Sequence, residues 1–171
     1  LGRELGLGSV DEVGFNISLG YDLEGIQGAK VDSYIDAMID ASHTPVYAEC
    51  RAWVEAHLPE FTHFTRADLD GLDPRISRSV TLSTLHGCPA AEIERIATHL
   101  LTAKGLNTFV KCNPTMLGYE FARSALDRLG YDYVSFDDHH FRADLQYDDA
   151  IAMFGRLTAV AAEHGLCERA Q

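Results

Sequence analysis

Chemically able side chains fall in three clusters along this sequence. Thr84, His86 and Cys88 form the first; Lys111, Cys112 and Asn113 form the second; Asp137, Asp138, His139 and His140 form the third. Each cluster closes a short apolar run, and amphipathic helical patterns separate the runs. Parallel α/β folds assemble their sites at the carboxyl ends of strands. The spacing therefore predicts one site built from three loops.

Cys88 stands just before Pro89, where a helix is predicted to start. The positive end of a helix dipole lowers a thiol pKa, which makes a nucleophile or an acid/base. His86 is placed to orient or deprotonate that thiol. The plainer alternative is an inert, half-buried cap residue. Lys111 ends a continuous apolar run, where a cation is costly unless it meets an anion or a ligand. It suits negative charge on a flavin ring or an enolate; a lysine snorkelling at a rim is the alternative. Asn113 and Thr115 add neutral hydrogen-bonding groups.

Asp137 to His140 is the densest set of carboxylates and imidazoles, suited to acid/base work or to a metal. Neighbouring strand residues point to opposite faces, so the four cannot all meet one ion. A solvated loop with capping aspartates is the simpler reading, and no metal ligand is assigned. A metal-dependent hydrolase or lyase using His86, Asp138 and His140 is a rival function. Asn16 and Ser18 lie on the polar face of the first predicted strand and offer amide and hydroxyl groups to the same site. Tyr21, in the following loop, is a weaker candidate.

The elements that must position these groups follow from periodicity. Val13, Phe15, Ile17 and Leu19 alternate with polar or small residues, a strand within residues 12–20. Val31, Tyr34, Ile35, Met38 and Ile39 share one helical face. Thr44 reads as an N-cap with Pro45 at the first helical position. Val46, Cys50, Trp53, Val54 and Leu58 form the stripe of that second helix, which Pro59 ends. Residues 60–77 show no sustained period beyond one helical turn near Ala67 to Leu69, and no domain boundary is placed there. A strand over Ser79–Leu85 leads to a helix with Ile93, Ile96, Ala97, Leu100 and Leu101 on one face and Gly105 at its end. Leu106 to Val110 reads as a buried parallel strand. A helix from about Leu117 to Leu129 carries Phe121, Ala125 and Leu129, and Gly130 ends it. A short strand holding Tyr133, Val134 and Phe136 follows. The last helix, about Leu145 to His164, packs through Ile151, Phe154, Leu157 and Ala161.

These make about four parallel βα units in an α/β fold. An open doubly wound sheet and half of a (β/α)8 TIM barrel both fit. A full barrel takes about 250 residues, and the chain opens on Leu1 without a start signature, so a barrel fragment is the preferred reading. Open sheet edges imply a homo-oligomer or partial disorder.

Composition narrows the function. The 171 residues are 46% hydrophobic and 23% charged, with a net charge of −12. Such acidity disfavours nucleic acid and anionic membranes as partners. No run reaches the ~18 apolar residues of a membrane span. Cys50, Cys88, Cys112 and Cys167 make no CxxC pair, so an iron–sulfur knuckle or zinc ribbon is not expected within this segment, and a reducing, cytoplasmic setting is the simplest.

Long stretches then resemble one family. TLSTLHGCP, EIERIATHLLTAKGLNTFVKCNPTMLGYEFAR and LGYDYVSFDDHHF, with NISLGYDLEGI upstream, resemble the selenate reductase iron–sulfur subunit family, itself similar to dihydropyrimidine dehydrogenase. The resemblance implies that residues 1–171 are the central fragment of a dihydroorotate-dehydrogenase-like barrel domain. It implies FMN in this domain and FAD, NAD(P) and iron–sulfur clusters in other parts of the full-length protein. Other redox domains or subunits are then its partners, and a small molecule its substrate. In the related dehydrogenases an Asn-x-Ser-Cys-Pro motif carries the acid/base cysteine, which Cys88-Pro89 matches. Leu85 and Gly87 depart from the motif's Asn and Ser. The resemblance thus implies catalytic roles for Cys88 and Lys111. Asn16, Ser18, Thr84, Lys111 and Asn113 become cofactor contacts, with His86, Asp137, Asp138 and His139 facing substrate. A catalytically degenerate barrel that scaffolds redox modules is the alternative that Leu85 and Gly87 favour.

Overall fold

The apolar strand runs become the layers of one sheet. The structure, a computed structural model, describes residues 5–6, 14–83, 88–166 and 168–170. Its strands are β1 (Phe15–Leu19), β2 (Ser77–Ser83), β3 (Asn107–Lys111) and β4 (Glu168–Ala170), in the sheet order β1-β2-β3-β4. β2 pairs with β3 in parallel, and β3 with β4. Sequential strand order, with these two pairings parallel and helices between the strands, is that of a partial (β/α)8 barrel.

The described helices are α1 (Leu23–Gln27), α2 (Ala29–Ile39), α3 (Pro45–Ala56), α4 (Arg66–Asp70), α5 (Ala90–Thr102), α6 (Tyr119–Arg128), α7 (His139–Ala143) and α8 (Tyr147–Glu163). The chain divides into two compact units, Leu1–Asn16 with Gly28–Arg78, and Ile17–Gln27 with Ser79–Gln171.

In the first unit, Ile35, Ala41 and Leu69 are buried. Thr44 caps α3 as expected, its hydroxyl accepting the Tyr47 N–H at 3.2 Å ahead of Pro45. A Thr65–Asp68 capping box starts α4, the helical turn expected near Ala67. The expected apolar stripe of α3 is not buried: no residue of α3 is, and Trp53 is 57% exposed and stacks on His57. Polar contacts hold α3 to α4 instead. Arg51 donates to the Leu69 carbonyl at 2.6 Å, and Arg66 pairs with Glu55 at 2.6 Å.

In the second unit, α5 and α8 pack on each other and on the strands. Ile93, Ile96, Ala97, Leu100 and Leu101 of α5 are buried, as their spacing predicts. On α8 the buried stripe is Ala150, Met153, Leu157 and Ala161. The expected phase was one residue off at its start, for Ile151 is 55% exposed. Arg156 of α8 binds Glu94 of α5 through two bonds of 2.7 Å, and the guanidinium holds the Glu94 carboxyl below its ordinary value. A lowered carboxyl pKa stabilises the fold above the ordinary glutamate value and ceases to do so as pH falls through the lowered one. Arg156→Gln is therefore expected to be less stable than the parent at neutral pH and equal to it in strong acid. Chemical denaturation across pH checks this, and a deficit that persists unchanged in acid would refute it.

Two expectations after β3 are corrected. Leu129, at the end of the expected α6 stripe, is 70% exposed, and Phe121 is exposed too. Residues 131–137 form no strand. Arg123 takes the carbonyls that a ladder would use, donating to Tyr131 at 3.0 Å and to Val134, while its guanidinium lies 5.1 Å over the Phe136 ring. Phe136 turns onto Tyr119 and Phe141 rather than into a sheet. The fourth strand is β4, after α8. Gly165, at φ 66°, makes the left-handed turn out of α8, with the Leu166 N–H returning to the Ala161 carbonyl at 2.8 Å. Among the described residues no helix is long and apolar enough to cross a membrane.

Candidate functional site

Strand alternation sorts the sheet into two faces. Ile17, Leu19, Val80, Leu82, Thr108 and Val110 are buried. The other alternation presents Ser18, Ser79, Thr81, Ser83, Asn107, Phe109 and Lys111, all half-buried or exposed. That face is largely hydroxyl and amide. It ends, at the carboxyl edge of β2 and β3, in Ser83 and Lys111, which are direct register partners. Side chains in register on one face of neighbouring strands stand ~4.8 Å apart. Ser83 and Lys111 can thus grip one polar or anionic group together. Asn16 shares its face of β1 with Ser18, and both are exposed.

Cys88 follows the same edge, half-buried and one residue outside Pro89, the N-cap of α5. The expectation of a depressed thiol pKa is overturned. Burial first, then the carboxylates of Glu92 and Asp22, push the Cys88 thiol up. The helix dipole acts within the first turn, and Glu92 occupies that turn. Cys88 at neutral pH is therefore a protonated thiol rather than a thiolate. Thr84 and His86 lie outside the described residues.

In the loop after β1 the sequence reading named only Tyr21, which is 59% exposed, and missed Asp22. Asp22 accepts the Gly25 N–H at 2.8 Å, and a Cβ on residue 25 would stand 2.9 Å from Asp22 Oδ1 and 3.0 Å from Tyr21 Cβ, so a side chain there would displace the Asp22 carboxylate. Glu92 Oε1 accepts the Leu23 N–H at 3.1 Å, and Arg95 binds its other oxygen at 2.7 Å. An acidic residue at the third position of a helix was the available signal for Glu92. Ser83 was legible only once the register with Lys111 was known.

After β3, Cys112 and Asn113 are half-buried, and Asn113 precedes the 3-10 turn Pro114–Leu117 without capping it through its side chain. Thr115 of that turn donates to Asp144 at 2.6 Å, a carboxylate only 6% exposed. This bond ties the loop after β3 to the end of α7.

The Asp-Asp-His-His cluster does not follow a strand, as expected, but opens α7. Asp137 accepts the His139 N–H at 3.1 Å, and Asp138 binds Arg142. The His139 and His140 rings meet edge to face at 5.3 Å. Local bonds thus engage the two carboxylates. Among the described residues no three His, Cys, Asp or Glu side chains converge as a metal site.

A partial barrel with a cation and a thiol at the carboxyl ends of its strands has the layout of a TIM-barrel enzyme domain. The chain belongs to the family described as "Oxidoreductase YgfK, N-terminal TIM-barrel domain", whose model matches residues 1–168. It is similar to "Putative oxidoreductase YgfK" of Escherichia coli strain K12, 42% identical over 163 residues. The protein of the same name from Escherichia coli O157:H7 matches to the same extent. Each match covers 89% of this chain and 16% of the relative, so the chain spans under a fifth of the length of these curated relatives. No solved structure matches the chain.

Proposed function

We propose that this domain binds FMN at the carboxyl rim of its sheet and serves a flavin/iron–sulfur oxidoreductase. The observation that carries the reading is the pairing of Ser83 with Lys111 where the polar face of the sheet ends. The residues present fit such a group: hydroxyls and amides suit the edge of a polar heterocycle, and the exposed Lys111 ammonium offsets negative charge on it. FMN, when bound, supplies electron transfer to or from a small oxidised or unsaturated substrate. Lys111 and Ser83 orient and neutralise, and Asn16, Ser18 and Asn113 add hydrogen bonds. Cys88, kept as a thiol, delivers a proton to the substrate.

Thr84 is a further cofactor contact in this proposal, and His86, Asp137, Asp138 and His139 select the substrate. Selenate is one candidate for that substrate. FAD, NAD(P) and iron–sulfur clusters belong to other domains of the full-length protein, which are this domain's redox partners. The setting is cytoplasmic, self-association covers the open sheet edges, and neither nucleic acid nor membrane is bound. The departures at Leu85 and Gly87 from the dehydrogenase motif favour a second reading, a barrel that has lost catalysis and scaffolds those redox domains.

Lys111→Ala tests the proposal. A charge-assisted contact is worth about 1.5–3 kcal/mol, so the variant of the full-length protein is expected to bind FMN about 10–100-fold more weakly. Titration of the flavin-stripped protein, followed by flavin fluorescence, measures this. Unchanged FMN affinity would place the flavin elsewhere.

A further inference from the structure

We propose that Glu92 is a positioning residue: it fastens the loop after β1 to the first turn of α5 and so sets where the Cys88 thiol stands on the rim.

Glu92 is the third residue of α5, counted from the Pro89 cap. A glutamate at that position ordinarily turns back to the backbone N–H of its own cap residue. Proline has no N–H to offer. The carboxylate instead reaches across the fold to Leu23, 69 residues away in sequence. Leu23 opens α1, so its N–H is one of those that a helix start leaves without an internal partner. Glu92 thus caps α1 from another element, while Asp22, just before α1, accepts from Gly25 of the same helix. A side chain at Gly25 would press on the Asp22 carboxylate, so glycine there preserves this second hold on the start of α1. Arg95 fixes the second oxygen of Glu92 and sets the carboxylate's direction. Among the described residues, the charged groups that bear on Cys88 are Glu92, which pairs with Arg95, from α5 and Asp22 from the β1 loop. One strap both locates the thiol and adds to the burial that raises its pKa.

This inference rests on reading Cys88 as the proton donor of the rim. Its test needs neither flavin nor turnover, so it can fail while flavin binding stands, or hold while flavin binding fails. Two quantities are measured on the full chain and on Glu92→Ala and Glu92→Gln. One is hydrogen exchange at the Leu23 amide. The other is the pH profile of Cys88 alkylation by iodoacetamide, read at the Cys88 peptide by mass spectrometry. In Glu92→Ala the Leu23 amide is expected to exchange roughly fivefold faster. In Glu92→Gln, whose amide oxygen still accepts the bond, most of that protection returns. Both variants lose a carboxylate beside the thiol, so both alkylation profiles move to lower pH and Cys88 reacts about two- to threefold faster at neutral pH. Should Glu92→Ala unfold, Glu92→Gln carries the thiol measurement alone. Unchanged Leu23 exchange in a folded Glu92→Ala, or an unmoved Cys88 profile in Glu92→Gln, would overturn the proposal.

Discussion

Cys88→Ala in the full-length protein is expected to lower turnover by about 10²–10⁴-fold, the usual contribution of a positioned general acid, while the protein keeps its flavin. The expectation follows from the protonation state of the thiol. Burial and two carboxylates hold the Cys88 pKa above the ordinary thiol value. A donor must be protonated when the substrate arrives, and a raised pKa ensures this at neutral pH. Activity should therefore persist through mildly alkaline pH and fall only as pH rises through the raised value. The linked stability has the same sign. The unfolded chain ionises first, so the stability associated with this thiol is complete below the ordinary thiol pKa and declines above it. NAD(P)H oxidation with candidate acceptors, selenate among them, measures the turnover. A Cys88→Ala enzyme that turns over at the parent rate would remove the thiol from the chemistry and leave the scaffold reading as the better one.

The second large effect concerns the core that holds the rim in place. Leu157 is fully buried on α8, whereas Ile151, on the same helix, is mostly exposed. Leu157→Ala is expected to cost about 2–5 kcal/mol, the range for a buried leucine that leaves a cavity. Ile151→Ala is expected to stay within about 0.5 kcal/mol, as surface substitutions do. Denaturant unfolding of the two variants separates them. Equal losses would mean that α8 packs through the stripe first expected from the sequence.

That pair of leucine and isoleucine shows what was legible and what was not. Strong periodicity located α8, but two overlapping stripes competed for its buried side. Ala150 and Met153, rather than Ile151, fill the buried side. α5 itself was unambiguous, since one face gathers all its large apolar residues. β1, β2 and β3 were readable from alternation or from a continuous apolar run. β4 was not, because Glu168–Ala170 joins the sheet through backbone bonds to β3 and carries no apolar pattern. The false strand near Tyr133 had the right residues, but Arg123, from the helix just before it, claims two of its carbonyls. Tyr133 is left 77% exposed.

The candidate site divides in the same way. Lys111 and Cys88 stood out because a cation after an apolar run and a cysteine before a helix-opening proline are local signals. The thiol's environment was not local: its pKa is raised first by burial, then by Glu92 and by Asp22, from a loop more than sixty residues upstream. Ser83 gained meaning from its register with Lys111, which only the pairing of the strands reveals. The Asp-Asp-His-His cluster drew attention by composition, yet its carboxylates are taken up in the turn that opens α7.

The central claim is that the carboxyl rim of this barrel holds FMN. The most direct measurement is the flavin content of the purified full-length protein, with FMN separated from FAD by chromatography and counted per chain. About one FMN per chain, reduced in Lys111→Ala, is the predicted result. A parent protein that contains no FMN and takes none up when it is supplied would contradict the claim.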